Sequence, residues 1–257
     1  MLYLVLDTNI WVYIAEGEHP DITPFVIEKI QRGEIYLLSN EVLLTEWNRN
    51  KNKAVERGKL KVSNSSKGTV GSFKTLKSKL TPEEKEQVDE ICKKYSSFLE
   101  NDLKEVDKRV ERIDQILNGF CINTEVTEEM WVSASKRAVE KKAPFHNGKN
   151  NMADCLILLS TLNYIQEDEA GKYIENAIFV SNNITDFSES TVGDAANNLH
   201  PDIITLINPF HLKFTRNAGE VLSLADEYIN GIHDFLQEID AKIIEQLEWE
   251  AEIMRGK

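Results

Sequence analysis

Cysteine is scarce: the 257-residue chain has three, Cys92, Cys121 and Cys155, and no Cys-x-x-Cys spacing. A disulfide framework and a cysteine-built zinc site are therefore excluded. Glycine and proline number only 12 and 6, which excludes a collagen-like chain. No stretch approaches 18 consecutive apolar residues, so no membrane-spanning helix and no membrane partner are expected. The apolar start at residues 2–6 lacks a basic leader and stops at Asp7, too soon for a secretory signal, so a cytoplasmic protein is expected. What the chain does have is 41% hydrophobic and 28% charged residues, an ordinary globular composition. Its length suits one large domain, or one domain with a sizeable appendage.

A net charge of −13 argues, as an average, against a nucleic-acid partner. The distribution argues otherwise. Residues 47–80 carry ten Lys or Arg against the single acid Glu56, for +9, and residues 136–150 add +4, leaving near −26 for the rest. Charge segregated in this way fits basic contacts beside an acidic body, or else a solvated flexible loop.

Residues 2–6 form a short, continuous apolar run ending in Asp-Thr-Asn, the pattern of a strand buried on both faces that turns into a helix. Further strands are predicted at 34–39, 177–181 and 203–207. Helices are predicted at 8–15, 21–31, from Asn40 onward, 83–118 with a break near Asn101, 128–142, 153–166 and 218–254. The last carries a stripe of Val221, Leu224, Ala225, Tyr228, Ile232, Phe235, Ile239 and Ile243, expected to pack on its own domain. Residues 58–80, rich in Ser and Gly, read as a mobile loop. The alternation indicates an α/β fold: a mostly parallel central sheet flanked by helices, with a helical insertion and a C-terminal helical extension. The expected division is a domain over 1–212, with the basic loop and insertion at about 58–142, and an extension over 213–257.

Four acids stand where the local pattern does not call for them. Asp7 ends the first strand, and Asp186 follows the 177–181 strand by five residues. Glu46 lies on the apolar side of its helix, three residues after Leu43 and four after Val42. Asp154 opens an otherwise apolar helix. Each has an ordinary local role open to it: Asp7 and Asp154 at helix starts, Glu46 paired with Arg49 or Asn50, Asp186 in a turn. Together they are harder to dismiss. Ligands bind beyond the carboxyl ends of parallel strands, and carboxylates gathered there repel by about 1 kcal/mol per pair in water and several times more in a cleft. A hard divalent cation would neutralise them.

Val5-Leu6-Asp7-Thr8-Asn9, the helical acid Glu46, Asn151-Met152-Ala153-Asp154-Cys155 and Phe179-Val180-Ser181-Asn182-Asn183-Ile184-Thr185-Asp186-Phe187 occur in an order that resembles a PIN-domain nuclease. The large insertion and Pro144-Phe145-His146 resemble the larger bacterial PIN-like proteins. The resemblance implies a Mg²⁺- or Mn²⁺-dependent endoribonuclease that hydrolyses RNA phosphodiester bonds. It makes Asp7, Glu46 and Asp154 catalytic metal ligands and Asp186 a fourth acid at the metals. Thr8, Asn9 and Asn183 are candidates to hold these acids in place. Many family members carry an acid where Asn183 stands, so any second ion site is expected to be weaker. Arg49, Lys51, Lys53, His146 and Lys149 are the candidate RNA contacts. The alternative is a catalytically inactive PIN-like module that binds RNA or protein. A homodimer and an inhibitor protein stay open as partners. A receiver or aspartate-nucleophile phosphatase fares poorly, because Asp7 is followed by Thr8-Asn9-Ile10 with no second Asp two residues on.

Overall fold

The computed structural model describes residues 2–169, 177–190, 198–210 and 212–255. In chain order these form β1 (Leu2–Leu6), α1 (Thr8–Ala15), α2 (Ile22–Gln31), β2 (Ile35–Ser39), α3 (Glu41–Lys77), α4 (Pro82–Gly119), β3 (Cys121–Asn123), α5 (Glu128–Val139), α6 (Met152–Glu169), β4 (Ala177–Val180), α7 (Ile184–Phe187), α8 (Pro201–Ile207), β5 (Leu212–Thr215) and α9 (Val221–Arg255). The fold is α/β, as expected: five parallel strands in the order β3-β2-β1-β4-β5, with helices around them. Every residue of β1 and of β4 is buried, which explains why both read as continuous apolar runs.

That strand order fixes where a site can form. The chain works outward from β1 through β2 to β3, then α6 carries it back to β4 on the other side. The order therefore reverses between β1 and β4, and the crevice outside their carboxyl ends is the natural binding position. Register places Leu6 beside Val180 and Val180 beside Thr215, so Asp7, Ser181 and Arg216 follow in one row along that edge.

Two expectations are corrected. Residues 58–80 are not a loop: α3 runs unbroken to Lys77, and α4 has no break near Asn101. Ser and Gly have poor helix propensity, by up to about 1 kcal/mol per residue, but here the small side chains are what allow packing. Ala54, Gly58 and Ser66 are buried. A Cβ on Gly58 would lie 3.0 Å from Val106 Cγ1 and 3.3 Å from the Ala15 carbonyl oxygen. The hydroxyls of Thr69, Ser72 and Thr75 donate to the carbonyls of Ser65, Gly68 and Gly71, satisfying themselves inside the helix. Interhelical pairs then tie the hairpin: Lys51–Asp114, Lys59–Asp107 and Lys77–Asp89. Three of the ten basic residues of the +9 segment thus face acids of α4. Gly58→Leu is expected to cost about 1–3 kcal/mol by overpacking, measurable as a lower urea midpoint; an unchanged midpoint would show that α1, α3 and α4 do not meet closely there.

The second correction concerns 203–207, expected as a strand and found as helix α8. His200 caps it by accepting from the Asp202 amide, and Pro201 starts it. Ile203 and Ile207, one helical turn apart, are the buried pair. Short apolar runs do not separate strand from helix. The sheet is completed instead by β5, with β3 at the opposite edge; both are short and were not anticipated. Because β5 spans residue 212, a division between 212 and 213 would fall inside the sheet. The first turns of α9 bury Val221, Ala225 and Ile229 in the core, and Lys29 pairs with Asp226. Ile243 is half exposed, and the Ile232 and Phe235 side chains lie outside the described residues.

Candidate active site

Asp7 leaves β1 and caps α1, its Oδ1 accepting from the Thr8 amide at 2.6 Å. Its other oxygen accepts from Ser181 Oγ at 2.6 Å and Asn9 Nδ2 at 2.9 Å. Asn9 reaches across the β1–β4 gap as well, donating to Ser181 Oγ and accepting from the Asn182 amide. Asp7 is thus a buried carboxylate fully held by donors. Glu46 comes from the second turn of α3, which Asn40 caps through the Leu43 amide. Thr8 Oγ1 donates to Glu46 Oε2 at 3.0 Å, so Thr8 orients two acids, one by its amide and one by its hydroxyl. Asp154, in the first turn of α6, is bonded by Asn183.

Asp7, Glu46, Asp154 and Asn183 line one cleft of about 450 Å³. Asp186, in α7, is not among the residues lining the cleft: it is 3% exposed and accepts from Thr185 Oγ1 at 3.0 Å. It acts on the cleft through its charge. Burial pushes the Asp7 carboxyl up to about 6, against the pull of Ser181 and Thr8, with Glu46 and Asp186 adding repulsion. Asp154 is raised well above the usual carboxylate range by burial and then by Asp7, Asp186 and Glu46, against its bond from Asn183. The four acids therefore share one electrostatic environment. Among the described residues no three His, Cys, Asp or Glu side chains are arranged to hold an ion; what Asp7, Glu46 and Asp154 share is the wall of one cleft.

The cleft also contains residues the sequence reading missed. Asn50 and Arg57 of α3 line it with Glu46, at spacings of four and eleven residues that keep one helical face; the spacing was legible, but not that this face borders a cleft. Glu16 at the end of α1 is buried against Arg57 at 3.0 Å and Lys61 at 2.8 Å, so the basic side chain on this wall is already matched by its own acid. Ser181, at the end of the predicted strand, supplies a 2.6 Å bond to Asp7.

The expected RNA contacts divide. Arg49 and Lys53 are exposed on α3, Lys53 seven residues from Glu46 on the cleft-facing stripe. Lys51 is committed to Asp114, which also accepts from Trp47 Nε1. His146 packs against His200, centroids 4.5 Å apart with the rings tilted by 35°, and burial followed by His200 lowers its pKa. Its neighbours Asn147 and Lys149 reach the Thr185 carbonyl and hydroxyl, so this segment packs against the turn that carries Asp186.

A family model described as PIN domain matches residues 4–187. No curated protein and no solved structure matches the chain. The matched span runs from β1 to α7 and takes in all four acids, α3 and the whole hairpin. PIN domains are generally nucleases and typically use divalent metals. Over this span, which is well beyond half of its length, the chain belongs to the PIN-domain family.

Proposed function

We propose that this protein is a Mg²⁺- or Mn²⁺-dependent endoribonuclease whose working groups are Asp7, Glu46, Asp154 and Asp186. The observation that carries the reading is the cleft itself: Asp7, Glu46 and Asp154 line it while Arg57 is bound to Glu16. An all-oxygen, acid-rich donor set fits a hard divalent ion. When bound, such an ion supplies Lewis acidity at the phosphate and a more acidic water. The chain's own contribution is placement. Ser181, Asn9 and the Thr8 amide fix Asp7, the Thr8 hydroxyl fixes Glu46, and Asn183 fixes Asp154. Held partners of this kind typically matter 10- to 100-fold, as roughly observed for the groups behind metal ligands.

An acidic cleft repels a polyanion, so the RNA backbone needs cations outside it. Exposed Arg49 and Lys53 beside the cleft, and Lys149 near Asp186, serve that purpose; Lys51 instead joins α3 to α4. Changing Arg49 and Lys53 together to Gln is expected to weaken RNA binding and flatten its dependence on salt by about 1.4 in log–log slope, at roughly 0.7 per single-strand phosphate contact. An unchanged slope would remove both from the interface.

The deciding experiment incubates labelled RNA, and DNA of the same sequence, with the protein in Mn²⁺, Mg²⁺ or excess EDTA. Internal cuts in RNA that require the ion are expected. Stable RNA binding without ion-dependent cutting would make the protein a binding module instead.

A further inference from the structure

A second groove, of about 390 Å³, adjoins the carboxylate cleft. Tyr13 lines both and is 41% exposed, and Asn182 and Asn183, consecutive in the chain, line one each. The far wall is the end of β5. The strand register sets Arg216 in the same row as Asp7 and Ser181, two strand spacings or about 10 Å from Asp7. The walls are fixed: Arg216 Nη1 donates to Ser188 Oγ at 2.9 Å, and Asn217 accepts from the Gly219 amide at 2.9 Å. The ring of His19 lies against Gly219, where a Cβ would meet its Cε1 at 3.3 Å. Glu18, the acid in the groove, is matched by Lys61 at 3.1 Å.

An exposed aromatic ring, a held guanidinium and side-chain amides are the set that recognises an unpaired nucleotide: the ring stacks the base, the guanidinium meets a phosphate, the amides read base edges. The groove continues the cleft along the same sheet edge, so one strand can occupy both. We propose that it is the subsite for a nucleotide flanking the scissile phosphate of single-stranded RNA, with the base on Tyr13 and the phosphate at Arg216. This rests on the nuclease reading above, and it adds a requirement for an unpaired base beside the cut.

The test measures binding of a fluorescent eight-nucleotide RNA to the full chain on an Asp154→Asn background, where the strand stays whole, beside cleavage by the unmodified protein. Tyr13→Ala should weaken binding roughly tenfold, within the range alanine substitution gives for one stacked base, and Tyr13→Phe should bind as well as Tyr. Arg216→Ala should lower the salt slope by about 0.7 and Arg216→Lys should restore it. Thermal melts of all four variants confirm the fold. If Tyr13→Ala binds normally and Arg216→Ala keeps the full slope while the unmodified chain still cuts RNA, the subsite is wrong and the cleft reading stands. If the unmodified chain neither binds nor cuts RNA, both fall.

Discussion

Asp154→Asn is expected to reduce RNA cleavage by more than about a hundredfold, beyond what removal of a supporting partner typically costs, while raising the melting temperature of the metal-free protein at neutral pH. The two effects have one cause. Asp154 is held well above the ordinary carboxylate range by burial and by Asp7, Asp186 and Glu46, so keeping an acid there opposes folding at neutral pH, where the unfolded chain ionises it freely. Asparagine keeps the shape, and its carbonyl oxygen can still accept from the Asn183 amide. Each kcal/mol of repulsion relieved raises Tm by about 2–4 °C in a chain of this size. An acid kept for packing or helix capping would behave in the opposite way, costing stability and sparing activity. Loss of cleavage together with a fall in Tm would therefore contradict the assignment of Asp154 as a working carboxylate.

Divalent ions should stabilise the protein strongly at pH 7.5 and hardly at all near pH 5. Asp7 has a folded-state pKa of about 6 against an ordinary 3.8. Between those values the folded chain binds more protons than the unfolded chain, so the Asp7 contribution to stability is lost as pH rises through the window and stays lost above it. An ion that neutralises the charged cleft restores that contribution, and it can do so only where the acids are ionised. At a hundred times its dissociation constant the ion adds about 2.7 kcal/mol, or roughly 5–10 °C in Tm. Melting curves with and without Mn²⁺ at several pH values check this. A Tm increment that is constant across pH 5–7.5 would place the ion away from Asp7.

The central part of the fold and the acids were legible because their signals are local and strong. A strand buried on both faces reads as an apolar run, and the residue that ends it stands at the sheet's carboxyl edge; Asp7 and the strand predicted at 177–181, found at Ala177–Val180, followed from that. Glu46 stood out because a carboxylate on an apolar helix face needs a reason. What was missed depends on partners distant in sequence. The Ser and Gly residues of α3 have loop propensity, and what outweighs it is tertiary: Ala54, Gly58 and Ser66 are buried, Gly58 against Val106 of α4 and the end of α1. Hence the basic segment looked like a free arm, although Lys51, Lys59 and Lys77 each face an acid of α4. Similarly, β5 is four residues with an exposed Lys213 and is a strand only because β4 pairs with it. Tyr13 and Arg216 carry no sequence signal that joins them; the register of β1, β4 and β5 does.

The carboxylate cleft costs the chain stability that a bound cation would return, and Mn²⁺-soaked crystals recorded at a wavelength where manganese scatters anomalously locate that cation directly. A peak in the cleft within coordination distance of Asp7 and at least one of Glu46 and Asp154, about 2.0–2.4 Å for a hard divalent ion on carboxylate oxygen, is the predicted result. An anomalous map with no peak in that cleft at saturating Mn²⁺, or with peaks only elsewhere on the surface, would contradict it.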